Sequence, residues 1–192
     1  IDGDPLRDYC RSDSQKATLL VADAYHEQTD KPVYTSTVAL EREGENVLVM
    51  RTFSKIFGMA GLRVGYGMGH PDIAKEVGGH VMAWPNGVGM TAAYHSYLDD
   101  DFIAFSRDRI HEGRRMVNET FRKNGIEPLP SQTNFVYADI GRNADEFQAR
   151  MAERDIQIRG IYQTYDTYSR VSMGRLEDLE VFDRVFTEIY SS

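Results

Sequence analysis

Residues 51–69 read RTFSKIFGMAGLRVGYGMG, and the rest of the chain is best read outward from them. Lys55 follows two hydroxyl residues, Thr52 and Ser54, and Arg63 comes eight positions later, after a loop of small residues. Hydroxyls with a guanidinium make a receptor for a phosphate dianion, because arginine offers a planar fork of donors. A lysine beside such a site loses proton affinity when partly desolvated, and becomes an amine nucleophile able to form a Schiff base. The stretch follows an apolar run, Asn46–Arg51. A second such run, Ala17–Val21, ends near Tyr25. Both are too short for helices and apolar throughout, which predicts buried strands of an α/β sheet covered by helices.

An amine nucleophile beside a phosphate anchor suits an aldehyde that carries a phosphate, pyridoxal 5′-phosphate. The glycines Gly65, Gly67 and Gly69 suggest a competing dinucleotide loop. That reading fails on spacing, because the third glycine falls two residues after the second, and no acid follows at the end of another strand about twenty residues on. Close backbone packing is their expected role.

The whole string T-F-S-K-x-F-G-x-A-G-L-R-x-G-Y resembles the cofactor-lysine signature of the class I/II aminotransferases, in the form of the histidinol-phosphate aminotransferase branch. The resemblance implies that Lys55 forms the Schiff base and that Thr52, Ser54 and Arg63 hold the cofactor phosphate. Ala22-Asp23-Ala24-Tyr25 resembles the family's D-x-A-Y strand end, with Tyr25 on the cofactor's phenolate oxygen. One departure stands out. The family's pyridine-nitrogen aspartate falls at Ala22, and Asp23 is one residue late. A one-residue shift along a regular strand turns a side chain to the opposite face. Either a bulge re-aims Asp23 inward, which is the expectation adopted, or the electron sink is weakened. Tyr168-Ser-Arg170-Val-Ser-Met-Gly174 resembles the small-domain strand whose arginine grips the substrate's acidic group. Arg159 resembles a second arginine that helps to bind the substrate phosphate. Arg175 stands where the family has threonine. Asn134, opening the N-F-V strand, reads as structural.

Further elements follow from pattern. Asp4–Ser14 reads as a helix with Asp4 as its cap and Pro5 in first position. A polar loop contains Pro32. Pro71 starts a helix, and Val88–Leu98 forms another. Ile103, Ile110, Val117 and Phe121 mark one face of a long helix that Gly125 terminates. Then come a strand over Asn134–Ile140 and a helix from the Asn143/Glu146 capping-box pattern to Glu153. Short strands over Ile156–Arg159 and Tyr168–Met173 follow, and a last helix buries Leu179, Phe182, Phe186 and Ile189. The boundary is placed near residues 98–102. The resemblance makes 1–98 part of the large cofactor-binding domain, with a mixed, mostly parallel sheet. It makes 99–192 the linking helix plus a small α+β domain.

The 192 residues carry 22 Lys and Arg against 30 Asp and Glu, a net charge of −8. That balance argues against a general binder of nucleic acid or anionic membranes, which needs a basic face. Cys10 is the single cysteine, so no intramolecular disulfide forms, in keeping with a reducing, cytoplasmic setting. The five histidines form no H-x-x-x-H pair, so no metal site is expected. No signal peptide or membrane span is apparent.

The resemblance implies a homodimeric enzyme of amino-acid biosynthesis acting on an amino acid or amino-phosphate and a 2-oxo acid. It covers nearly the whole chain, yet family members carry a further N-terminal half, with a phosphate-binding turn, a stacking ring and an asparagine. The chain reads as the part that follows, and could be inactive alone. A decarboxylase of the same fold and a non-catalytic fragment are the alternatives.

Overall fold

The computed structural model describes residues 3–30 and 37–192, so the loop expected around Pro32 lies outside the described residues. The chain divides into two compact units, Ile1–Ala104 and Phe105–Ser192.

The first unit is built on a three-stranded mixed sheet. β1 (Leu19–Ala22) pairs parallel with β2 (Val47–Thr52), from Leu19 opposite Val47 to Ala22 opposite Met50. β2 then pairs antiparallel with β3 (Gly65–Met68). Helix α1 (Asp4–Ser14) begins after Gly3, whose φ of 66° suits glycine. Gly3, and not Asp4, is therefore the cap residue, and Asp4 lies in the first turn, where a carboxylate favours the helix dipole. Arg7 and Arg11 donate to Glu43 at 2.9 and 2.5 Å, and Ser14 donates to Glu45 at 2.7 Å, which ties α1 to the turn before β2. That turn follows α2 (Val38–Arg42), a five-residue helix the sequence pattern did not predict.

Period-two alternation sorts the side chains of β1 and β2. Val47 and Val49 pack with Cys10 and Leu40, and Leu19 and Val21 join them from β1. On the opposite face Leu20 is 62% exposed and Met50 41% exposed. Burial on both faces was the expectation; β2 meets it over Val47, Leu48 and Val49, whereas in β1 Leu19 and Val21 are half-buried and the other face is exposed. Gly65 meets the close-packing expectation directly, because a Cβ there would stand 2.8 Å from the Arg51 carbonyl oxygen. Two further helices follow. α3 (Pro71–Gly79) is capped by His70, and α4 (Gly87–Tyr97) by Asn86, whose side chain accepts from the Gly89 amide.

Helix α5 (Asp100–Lys123) runs through the boundary between the units, and Gly125 ends it with φ 78°. In the second unit β4 (Phe135–Asp139) and β5 (Tyr168–Ser172) pair antiparallel, with Val136 opposite Val171 and Tyr137 opposite Arg170. Asn143 Oδ1 accepts from the amides of Asp145 and Glu146 and starts α6 (Ala144–Ala152). Helix α7 (Leu176–Ser191) buries Leu179, Phe182, Phe186 and Ile189, the four residues read from its periodicity. Phe186 is fully buried, edge-on to Phe121 and Phe147 at 5.2 and 5.1 Å.

The expected strand at Ile156–Arg159 is reduced to one isolated bridge, Arg159 opposite Arg170. Asp155 sits at φ 62°, and the Gln148 side chain takes the Ile158 carbonyl at 2.8 Å, so the ladder does not extend along this segment. No helix among the described residues is long and apolar enough to cross a membrane.

Candidate functional site

Thr52 is the last residue of β2, where the backbone leaves the sheet. Its Oγ1 accepts from the Ser54 amide at 3.0 Å and donates to Ser54 Oγ at 2.9 Å. This local turn gathers two hydroxyls at the strand end. Phe53, Ile56 and Phe57 around it are buried, with the Phe53 and Phe57 rings 4.7 Å apart. The apolar anchors fix the segment while Lys55 remains partly accessible between them. Lys55 Nζ lies 5.3 Å from the centre of the Tyr25 ring. Among the described residues no carboxylate comes within 4.0 Å of that amine.

The loop closes on itself. The Gly58 amide donates to Lys55 O, the Met59 amide to Phe53 O, and the Phe53 amide to Val64 O, at 2.9, 3.0 and 3.1 Å. Gly58, at φ 68°, supplies the left-handed turn. Arg63 also takes a left-handed conformation, φ 54°, after a 3₁₀ turn over Ala60–Leu62. It is exposed and donates from one guanidinium nitrogen to Ala60 O at 2.8 Å. The structure thus brings Thr52 to Ser54 and Lys55 to Tyr25, whereas Arg63 has no hydrogen bond to the two hydroxyls.

Asp23 behaves differently from expectation. The ladder between β1 and β2 keeps one offset from Leu19 to Ala22, and the Asp23 amide continues it by donating to Met50 O at 2.8 Å. No bulge intervenes. Regular alternation therefore leaves Asp23 on the face of Val21 and Val49, opposite Arg51 in the neighbouring strand. Arg51 donates to Asp23 Oδ2 from Nε at 3.3 Å and from Nη2 at 3.1 Å. Glu27 stands 3.8 Å from the same guanidinium, and His26 Nδ1 is 3.6 Å from Asp23. Burial and the Arg51 charge hold the His26 imidazole below its usual pKa, against the pull of Asp23 and Glu27. Arg51 and Glu27 were not singled out from sequence. The signal was present in the pattern, because parallel pairing of the two apolar runs sets Arg51 beside Asp23.

Arg159 and Arg170 lie in the second unit and face each other across the isolated bridge. Arg170 Cζ stands 5.1 Å from the centre of the Phe135 ring, and Arg159 Cζ 5.1 Å from that of Tyr162. Asn134 accepts the Met173 amide through its backbone carbonyl at 2.9 Å, a structural contact at the head of β4.

Comparison with known proteins gives this arrangement a family. The family model "Aminotransferase class I and II" matches residues 8–184. The chain is 32% identical over 177 residues to a histidinol-phosphate aminotransferase of Brevibacillus brevis, covering 91% of this chain and 49% of that protein. It is 35% identical over 156 residues to an aromatic amino acid aminotransferase of Mycobacteroides abscessus, covering 80% of this chain and 44% of that one. The fold overlays the crystal structure of histidinol-phosphate aminotransferase from Sinorhizobium meliloti in complex with pyridoxal-5′-phosphate. The TM-score is 0.89 at 23% identity, with all of this chain and 53% of that chain covered. The chain spans about half the length of the curated relatives it matches. By the extent of the family match, the chain belongs to the class I and II aminotransferases, a pyridoxal-phosphate-dependent family.

Proposed function

We propose that this chain carries the lysine-bearing part of an aminotransferase that moves an amino group between a donor and a 2-oxo acid. The donor is an amino acid or an amino-phosphate resembling histidinol phosphate. The observation that carries the reading is Lys55, an amine without a carboxylate partner among the described residues, beside the Thr52–Ser54 hydroxyl pair and the Tyr25 ring.

The donor set fits pyridoxal phosphate: an amine for the aldehyde, hydroxyls and a guanidinium for the phosphate, and a phenol for the ring oxygen. The cofactor, when bound, supplies an aldehyde that takes up amines and a ring that withdraws electrons from the donor's Cα. Thr52 and Ser54 hold the phosphate with Arg63, which uses one nitrogen on Ala60 and keeps the rest of its fork for the anion. Tyr25 orients the ring through its hydroxyl. Lys55 Nζ would hold the cofactor's aldehyde carbon, and as a free amine it would take the proton from the donor's Cα as general base. Arg170 and Arg159 take the donor's anionic groups. Residues 1–98 form part of the cofactor domain in this reading, and 99–192 the linking helix and small domain. Met82 and Trp84, 99% and 98% exposed, support a homodimer that covers them.

Asp23, held by Arg51, supports a second reading: a protein that retains the cofactor lysine without efficient turnover. A yellow chromophore on adding pyridoxal phosphate, fixed to Lys55 by borohydride and lost in Lys55→Ala, tests the first reading. Amino transfer from histidinol phosphate and several amino acids to 2-oxoglutarate, with carbon dioxide release measured in parallel, separates transfer from decarboxylation. A chromophore without turnover, with activity gained in Ala22→Asp, would establish the second reading.

A further inference from the structure

Tyr25 stands just beyond the regular part of the sheet. β1 ends at Ala22, and its ladder goes one bond further, from the Asp23 amide to Met50 O at 2.8 Å. The chain then enters a 3₁₀ turn over His26–Gln28, with Tyr25 before it and the Gln28 amide donating to Tyr25 O at 3.0 Å. Turns of this kind have poorer hydrogen-bond geometry than an α-helix. The direction of the Tyr25 ring therefore depends on what grips the chain on either side of it. Lys55 Nζ, 5.3 Å from the centre of that ring, comes from a different strand end, just after β2.

One guanidinium spans the two strand ends. Arg51, four residues before Lys55, meets Asp23, two residues before Tyr25, and Glu27, two residues after it. Nε and Nη2 donate to Asp23 Oδ2 at 3.3 and 3.1 Å, and Nη1 stands 3.8 Å from Glu27 Oε1. The three side chains are largely shielded from water, at 11%, 4% and 17% exposure. The base of this clamp is fixed, because Arg51 lies in the central strand of the sheet, opposite Tyr66 of β3. A planar fork of donors can address two carboxylates at once, which the point charge of a lysine does not reproduce. Removing charges from water offsets much of their attraction, so such a cluster adds little net stability. What it supplies here is a fixed geometry on both sides of Tyr25.

We infer that Arg51 is a positioning residue: by gripping Asp23 and Glu27, it holds the Tyr25 ring against the Lys55 amine. It acts through the two carboxylates and takes no part in the chemistry itself. The inference deepens the proposed function, on which it rests, by naming what keeps two of its groups together. Reacting groups must be held close to their working geometry, and a misplacement of about 1 Å can cost a hundredfold in rate.

The test reads the placement of the amine over the ring in the 192-residue chain, without cofactor. Reductive methylation with isotope-labelled formaldehyde marks the five lysines for NMR, and the Lys55 signal is the one lost in Lys55→Ala. The ring current of Tyr25 should displace that signal, and Tyr25→Leu should abolish the displacement. Arg51→Lys, which keeps the charge and loses the fork, should remove most of it. Glu27→Gln, outside the strands, should remove part of it. Amide exchange in β2 and β3 should stay as in the parent for both variants, which a purely structural role of Arg51 would not allow. A parent signal without displacement, a displacement retained in Arg51→Lys or in full in Glu27→Gln, or one lost only along with strand protection would overturn the inference. No cofactor enters the measurement, so it fails separately from the Lys55 chromophore. The expected NMR pattern without the chromophore leaves the clamp standing and removes the aminotransferase reading.

Discussion

The two units bury their apolar side chains to different degrees. Of the eighteen exposed large hydrophobic side chains among the described residues, thirteen lie in the first unit and five in the second. In the second unit α5, α6 and α7 contribute to one cluster that contains Phe121, Phe147 and Phe186, and the other sheet face is polar and aromatic by design of its alternation. In the first unit the sheet is equally apolar in sequence, yet Leu20 and Met50 remain open, as do Met82 and Trp84 on the segment between α3 and α4. Apolar patches of this kind mark surfaces that another protein segment covers. The second unit thus satisfies its own hydrophobic pattern, whereas the first, which carries Lys55, leaves more of its apolar side chains exposed.

The largest test of that contrast is Phe186→Ala. Removing a fully buried ring at the centre of an aromatic cluster should cost about 3–5 kcal/mol. Hydrogen exchange should report the loss in β4, β5 and α7 and leave β1 and β2 protected as before. Loss of protection in both units together would show that they do not unfold separately.

In the first unit the corresponding weak point is backbone packing. Gly65→Ala should cost about 1–3 kcal/mol, because the new methyl group meets the Arg51 carbonyl and the ladder between β2 and β3 must shift. Denaturant titration would measure this, and the Lys55 chromophore should weaken in parallel, since Thr52 pairs with Gly65. An unchanged midpoint would mean that β3 is loosely held.

These contrasts also explain what could be read from the chain alone. The long helix and α7 were legible because a single apolar face repeated at helical spacing and one partner layer absorbed it. Both strands before Lys55 were legible as apolar runs, but their exposed face was not, since periodicity records what a strand prefers and not what covers it. Helix α2 was missed because five residues carry too little periodicity. The motif from Thr52 to Arg63 was plain as a string of residue types, while the use of Asp23 depended on register. One offset between two strands decided that its carboxylate would meet Arg51.

A smaller effect is expected at the start of α6. Asn143→Ala removes the acceptor for two amides and should cost about 1 kcal/mol, measured as a lower midpoint for the second unit alone. Because α6 packs with α7 in that unit's core, the change should not reach the Lys55 loop. A shift in the chromophore of this variant would break the distinction between the units.

The smallest effect belongs to pH and to the first unit. His26 faces Asp23, Glu27 and Arg51, and its folded pKa lies below the ordinary value of about 6.5, mainly through burial and next through the Arg51 charge. A histidine depressed on folding binds its proton less readily in the native state than in the unfolded one. Its contribution to stability is therefore complete above about pH 6.5 and falls away as the pH drops through the folded pKa. Unfolding midpoints measured from pH 7.5 to pH 5 should decline for the parent protein, and His26→Gln should flatten part of that decline. Hydrogen exchange read over the same range should place that decline in β1 and β2, which bring Asp23 to Arg51. A parallel decline in both units, unaltered by His26→Gln, would move the origin of the pH response away from the Asp23–Arg51 cluster.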